Sequence, residues 1–184
     1  MATVPTPFDA TTGVKFSASA SDTGVRDPLI FLLDPPHCSV YDNTGVLAVN
    51  ATFTLMQFDT ETDDTDTMHN TVTNNSRITF NTAGRYEILI HTGIAVATTY
   101  TVYDLRLTLN AAGVAGGGTS IRTWNFGSAA GKSPGITTFV TVTRVFAAND
   151  YVELFLAQTS GANRNVIVAG QYGTGIQARW IGNT

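Results

Sequence analysis

Cysteine occurs once in the 184 residues, at Cys38, which excludes an intrachain disulfide and any metal cage built on thiolates. Lysine occurs only at Lys15 and Lys132. All charged residues together make up 13% of the chain, about half the share of an average soluble protein. With a net charge of −4, no basic patch can form to track phosphates, so no nucleic acid partner is expected. No apolar run approaches the ~20 residues of a membrane span. The opening MATVPTPFDATTG has neither the basic stretch nor the apolar core of a secretory signal. The chain is therefore expected to work as a soluble, reduced protein with no membrane partner. A surface so poor in charge must be covered by threonine, serine and asparagine, or by a neighbouring subunit.

Residues 1–36 differ from the rest and read as an extended arm. They are polar, carry early prolines and show no sustained periodicity. Near their end stands RDPLIFLLDPP. Asp27 before Pro28 is a fair helix start, with the carboxylate as cap and proline at the first helical position. Pro35 and Pro36 push Asp34 towards extended geometry and stop any helix there. Between them Leu29, Ile30, Phe31, Leu32 and Leu33 form a five-residue apolar plug, in one or two helical turns or a short extended piece. It either packs on the chain's own domain or anchors the arm on a partner.

From residue 37 to residue 184 the period is two. RYEILIH sets Tyr86, Ile88 and Ile90 against Arg85, Glu87, Leu89 and His91. TVYDLRLTLN alternates Tyr103, Leu105, Leu107 and Leu109 with Val102, Asp104, Arg106 and Thr108. RTWNF puts Arg122, Trp124 and Phe126 on one side, and DYVELFLAQ does the same for Val152, Leu154 and Leu156. ITTFVTVTRVF is a long β-branched run, and GIQARWIG alternates again. Such alternation marks half-buried strands. Turn sequences such as NTAG, NAAGVAGGG, AAND and TSGANRN separate them. About eight to ten short strands, with no long amphipathic helix and no repeat, predict an antiparallel sandwich or jelly roll.

The chemistry-bearing residues form no enzymatic constellation. FDTETDDTDTMHN gathers Asp59, Glu61, Asp63, Asp64 and Asp66. A calcium loop counted from Asp59 fails where Asp64 replaces the turn glycine and Asn70 the bidentate glutamate. The stretch is expected to be a hydrated loop between two strands, dispensable for folding; a loop-borne calcium site of another geometry and a glycosidase-type carboxylate pair are the alternatives its spacing leaves open. His37, His69 and His91 share no zinc spacing, and no nucleophile elbow occurs. GSAAGKSPG fails the phosphate-loop template, which needs glycine where Phe126 stands. No catalytic, metal or cofactor-binding residue is expected.

Several segments together resemble the C1q/TNF-like jelly roll, and most closely its version in virion proteins of tailed bacteriophages. They are TFTLMQFDTETDDTDTMHN, SRITFNTAGRYEILI, FAANDYVELFLAQTSG and IQARWIG, preceded by VRDPLIFLLDPPHCSVY. The likeness runs from about Val25 to Gly182. Asn149 stands where the corner usually has glycine, a position that asparagine tolerates at positive φ. The resemblance implies an all-β, C1q/TNF-like antiparallel jelly-roll sandwich with an extended N-terminal arm. It implies a homotrimer packed through one side of each sandwich, and a structural, non-enzymatic role in a virion assembled in the host cytoplasm. A trimeric capsid decoration protein would attach by its arm to the major capsid protein or another virion protein. The competing role is a tail-tip or fibre-head protein that binds a host receptor. Fibre heads need a shaft, and none of the shaft-forming repeats occurs in these 184 residues, which favours decoration.

Overall fold

The computed structural model describes residues 25–95, 99–100, 102–126, 129–130, 135–168 and 173–183. Of the expected arm, residues 1–24 lie outside the described residues. Beyond them comes a seven-residue helix, α1 (Asp27–Leu33), with Pro28 in its first turn. Asp27 is not its cap. Arg26 holds that position without any side-chain cap, and the Asp27 carboxylate accepts from Arg26 Nε at 3.2 Å. The helix ends as the prolines require: Asp34 has φ −137° and ψ 70°, and its N–H closes the last turn on the Ile30 carbonyl at 2.9 Å.

The rest of the described chain forms two antiparallel sheets and two small ribbons. The first sheet runs β11 (Gly135–Phe146), β6 (Gly84–Ala95), β14 (Gly175–Gly182), β1 (His37–Tyr41) and β4 (Thr60–Asp64). The second has β12 (Asp150–Gln158) beside β8 (Tyr103–Leu109), which pairs with β9 (Thr119–Asn125). On its other side β12 pairs with β5 (Arg77–Phe80) and β3 (Thr54–Leu55), end to end. The two-residue strands β2 (Leu47–Ala48), β13 (Arg164–Asn165), β7 (Thr99–Tyr100) and β10 (Ala129–Ala130) make up the ribbons. Among the described residues nine strands have four or more residues. The two-residue strands, β3 included, are too short to leave a periodic signal. The fold is an all-β jelly-roll sandwich.

Its core is where the alternation places it. Tyr86, Ile88 and Ile90 of β6 meet Tyr103, Leu105 and Leu107 of β8 and Val152, Leu154 and Leu156 of β12, all without exposed surface. One end is aromatic: Phe80 stacks on Phe146 at 3.9 Å and lies 4.6 Å from Tyr86. Tyr86 Oη donates to the Thr82 carbonyl at 2.7 Å, which satisfies the phenol inside the core. Alternation misses one feature. Glu153, Phe155 and Gln158 of β12 are buried as well.

Candidate interaction surface

The charge-rich segment is not a free hydrated loop. Thr60–Asp64 is strand β4, paired with β1, and the turn after it is built on its carboxylates. Asp64 accepts Met68 N–H and His69 N–H, both at 2.9 Å, while Asp59 accepts Asn43 N–H at 2.8 Å. Glu61 binds His69 Nδ1 at 2.9 Å, and the other ring nitrogen of His69 faces the Asn75 carbonyl at 3.1 Å. Asp63 lies 2.6 Å from His37 Nε2, and Asp66 is buried. The expectation of a hydrated loop is therefore corrected. Short carboxylates beside backbone N–H groups build turns instead of being solvated. Among the described residues, no cluster of histidine, cysteine and carboxylates could hold a metal ion.

Cys38 is buried, and burial, with help from Asp64, Glu61 and Asp63, pushes its thiol far above the ordinary value. A cleft of about 260 Å³ beside it is lined by Leu33, Asp34, His37, Gln177 and Arg179 among others, and the His37 ring there is taken up by Asp63 and the Pro35 carbonyl. His91 directs Nδ1 at the Gly173 carbonyl at 2.8 Å, and its ring lies along Phe139. Gly116 and Gly118 serve the loop after β8, both at positive φ. Part of GSAAGKSPG lies outside the described residues.

What the molecule does present is apolar surface. The five residues of the plug are split by the helix. Phe31 turns inward and meets the Trp180 ring edge-on, centroids 4.8 Å apart. Leu29, Ile30, Leu32 and Leu33 face solvent, Leu33 with 85% of its surface exposed. Phe31 thus belongs to the chain's own core, and only the other four are available to a partner. A single buried aromatic holds a helix whose remaining apolar side chains are bare.

A second surface is the outward side of the first sheet. Register sets Phe139 opposite His91, Thr141 opposite Leu89, and Thr143 opposite Glu87, with Gln177 and Arg179 on the next strand and Ser39 beyond. Phe139 is 62% exposed, and Ile181 and Val145 are also exposed. The alternation of ITTFVTVTRVF is visible in the sequence, but which of its two sides looks outward depends on β6 lying beside it.

No family model and no curated protein matches the chain. Among solved structures, the chain is similar in fold to the TNF protein Eiger from S. frugiperda. The two share 13% identity, with 81% of this chain and 95% of that one covered and a TM-score of 0.54. It is also similar to the globular domain of the zebrafish complement 1qA protein. Here identity is 15%, coverage 81% of this chain and 99% of that one, and the TM-score 0.47. The fold is that of the C1q/TNF-like jelly rolls.

Proposed function

We propose that the chain is a virion structural protein of a tailed bacteriophage: a trimeric capsid decoration protein attached to the head through its N-terminal segment. The observation that carries this reading is α1. Four apolar side chains in one short helix stand out from the domain, and water-exposed apolar surface of this kind marks a contact site. An apolar side chain fully removed from water contributes about 1.5–3 kcal/mol, so two or three of them anchor a chain. In a trimer, once one helix has docked, the other two bind at high effective concentration, and modest contacts become firm attachment. The head's own protein shell, the major capsid protein or a neighbour of it, is the partner that apolar chemistry fits.

Self-association has separate support in the edge of the first sheet. Strand β11 ends that sheet, has twelve residues, and carries Arg144 as its one charge. Long, nearly uncharged edge strands are normally blunted or covered, and a second copy of the chain would cover this one. The segments resembling phage virion proteins favour the location.

Adding purified protein to undecorated heads and counting bound copies after density-gradient separation tests the reading. Leu32→Asp with Leu33→Asp places charge on the exposed side of α1 and leaves Phe31 in place. The variant should stay folded and lose head binding. Full binding by this variant would defeat the anchor. If the parent ignores heads but adsorbs to host cells, the receptor-binding role replaces decoration.

A further inference from the structure

His37 opens β1, three residues after Asp34 caps the end of α1, and its ring is surrounded by oxygen. Nε2 lies 2.6 Å from the Asp63 carboxylate on β4. Nδ1 lies 2.9 Å from the Pro35 carbonyl and 3.7 Å from the Asp34 carboxylate at the foot of α1. A neutral imidazole carries one N–H, so it can serve only one of these two sides. Its other nitrogen would then point a lone pair at an acceptor, and on the Nδ1 side only the Thr65 hydroxyl, at 3.4 Å, could donate to it. The doubly protonated ring serves both. Neighbouring charges favour it: Asp34 and Asp63 are close, Arg179 of β14 opposes them from the paired position, and Glu61 and Asp64 of β4 are engaged with His69 and the turn backbone.

We propose that His37 is a proton-operated latch for helix α1: charged, it ties Asp34 and the Pro35 carbonyl to Asp63 on the jelly roll, and neutral, it lets the helix swing off Trp180. Burial alone would disfavour the charged ring. The Pro35 carbonyl, the hydrogen bond to Asp63 and the charges of Asp63 and Asp34 outweigh it, and the proton is held above the ordinary imidazole value of 6.5. A raised folded-state value means that the bound proton stabilises the closed form. The latch therefore contributes fully below pH 6.5 and is lost as pH rises through the raised value. The neighbourhood is suited to a hinge, because beyond Phe31 no apolar residue of α1 is buried in the domain. The backbone bond from Trp180 N–H to the Pro36 carbonyl and those between Thr65 and His37 keep β1 in place while the helix moves. This inference concerns only how α1 is held and stands apart from the virion reading.

Tryptophan emission tests it on the full chain. Trp124 and Trp180 are the only tryptophans, so Trp124→Phe leaves Trp180 as reporter. Between about pH 5 and pH 8 its emission should shift to longer wavelength as Phe31 leaves, with a midpoint above 6.5. Adding His37→Gln should abolish the transition and hold emission at the high-pH position throughout. Adding Asp63→Asn, which removes the strongest acceptor but leaves the ring, should move the midpoint down. Flat emission in the reporter chain overturns the latch. So does a transition that survives His37→Gln, a midpoint unmoved by Asp63→Asn, or a His37→Gln chain fixed at the low-pH position.

Discussion

Glu153 sits in the middle of β12 with its carboxylate buried and fully engaged. Oε1 accepts Ser76 Oγ and Arg77 Nε at 3.1 and 3.0 Å, and Oε2 accepts the Gly113 N–H at 2.7 Å. The Arg77 guanidinium also covers the Tyr151 ring at 4.3 Å. One carboxylate thus fastens β5 and the loop after β8 to the same strand. Removing it leaves a guanidinium side chain that is three-quarters buried, and a backbone N–H, without that acceptor. Glu153→Ala should therefore cost about 2–4 kcal/mol in urea unfolding, towards the lower side of buried-pair losses because Arg77 keeps some water. Asp104 is the opposite case. Its Oδ1 is buried without a hydrogen-bond partner among the described residues, and burial raises its proton affinity although Arg106 opposes the rise. An acid held above its ordinary value weakens the fold once ionised. The penalty is absent below pH 3.8 and complete above the raised value. Asp104→Asn should raise the melting temperature at neutral pH, and the gain should vanish in acid.

At the scale of elements, the corner between β5 and β6 shows why NTAGRY is specific. Gly84 opens β6 directly under the indole of Trp180. A Cβ there would lie 2.1 Å from Nε1 and 2.9 Å from the Gly182 carbonyl. The same indole donates to the Ala83 carbonyl and receives Phe31 on its edge, so one tryptophan joins β6, β14 and α1. Gly84→Ala should destabilise by about 1–3 kcal/mol, the range for overpacking. Replacing Trp180 by Leu removes the indole's share of the obstruction and leaves that of the Gly182 carbonyl. The double variant should therefore lose less stability than the sum of the single ones, and a strictly additive cycle would show that the indole is not what excludes the methyl group.

For the whole molecule, the trimer reading makes a hydrodynamic prediction. Sedimentation at micromolar concentration should give a mass near three times 19.5 kDa. Phe139→Asp places a charge on the outward side of the first sheet, at a site 62% exposed in the single chain. The fold should survive with its melting profile broadened by loss of partners, while the sedimenting species falls to one chain. A parent that sediments as a stable monomer, or a Phe139→Asp variant that remains trimeric, would remove this surface from the assembly.

The division between what is local and what is long-range follows the reach of the forces involved. Alternation along a strand is local, so the core residues Tyr86, Ile88, Leu105, Leu107, Val152 and Leu154 are all legible in the order of the amino acids. So are the end of α1 before Pro35 and the positive φ of Asn149, 69°, at the β11–β12 corner. The jelly-roll class is legible too, from the number of strands and from the resemblance. Long-range pairing decides the rest. That the acidic segment is an edge strand depends on β1 lying beside it, with Ser39 opposite Asp63. Phe31 turns inward while Leu29 and Leu33 do not, because Trp180, 149 positions away, meets only one side of the helix. The setting of His37 between Asp34 and Asp63 likewise arises only when β4 folds back on β1. Local order along the chain settles which residues avoid water within each strand. Which of the others meet a neighbour and which meet solvent depends on strands far apart in the chain, because their packing alone brings those surfaces together.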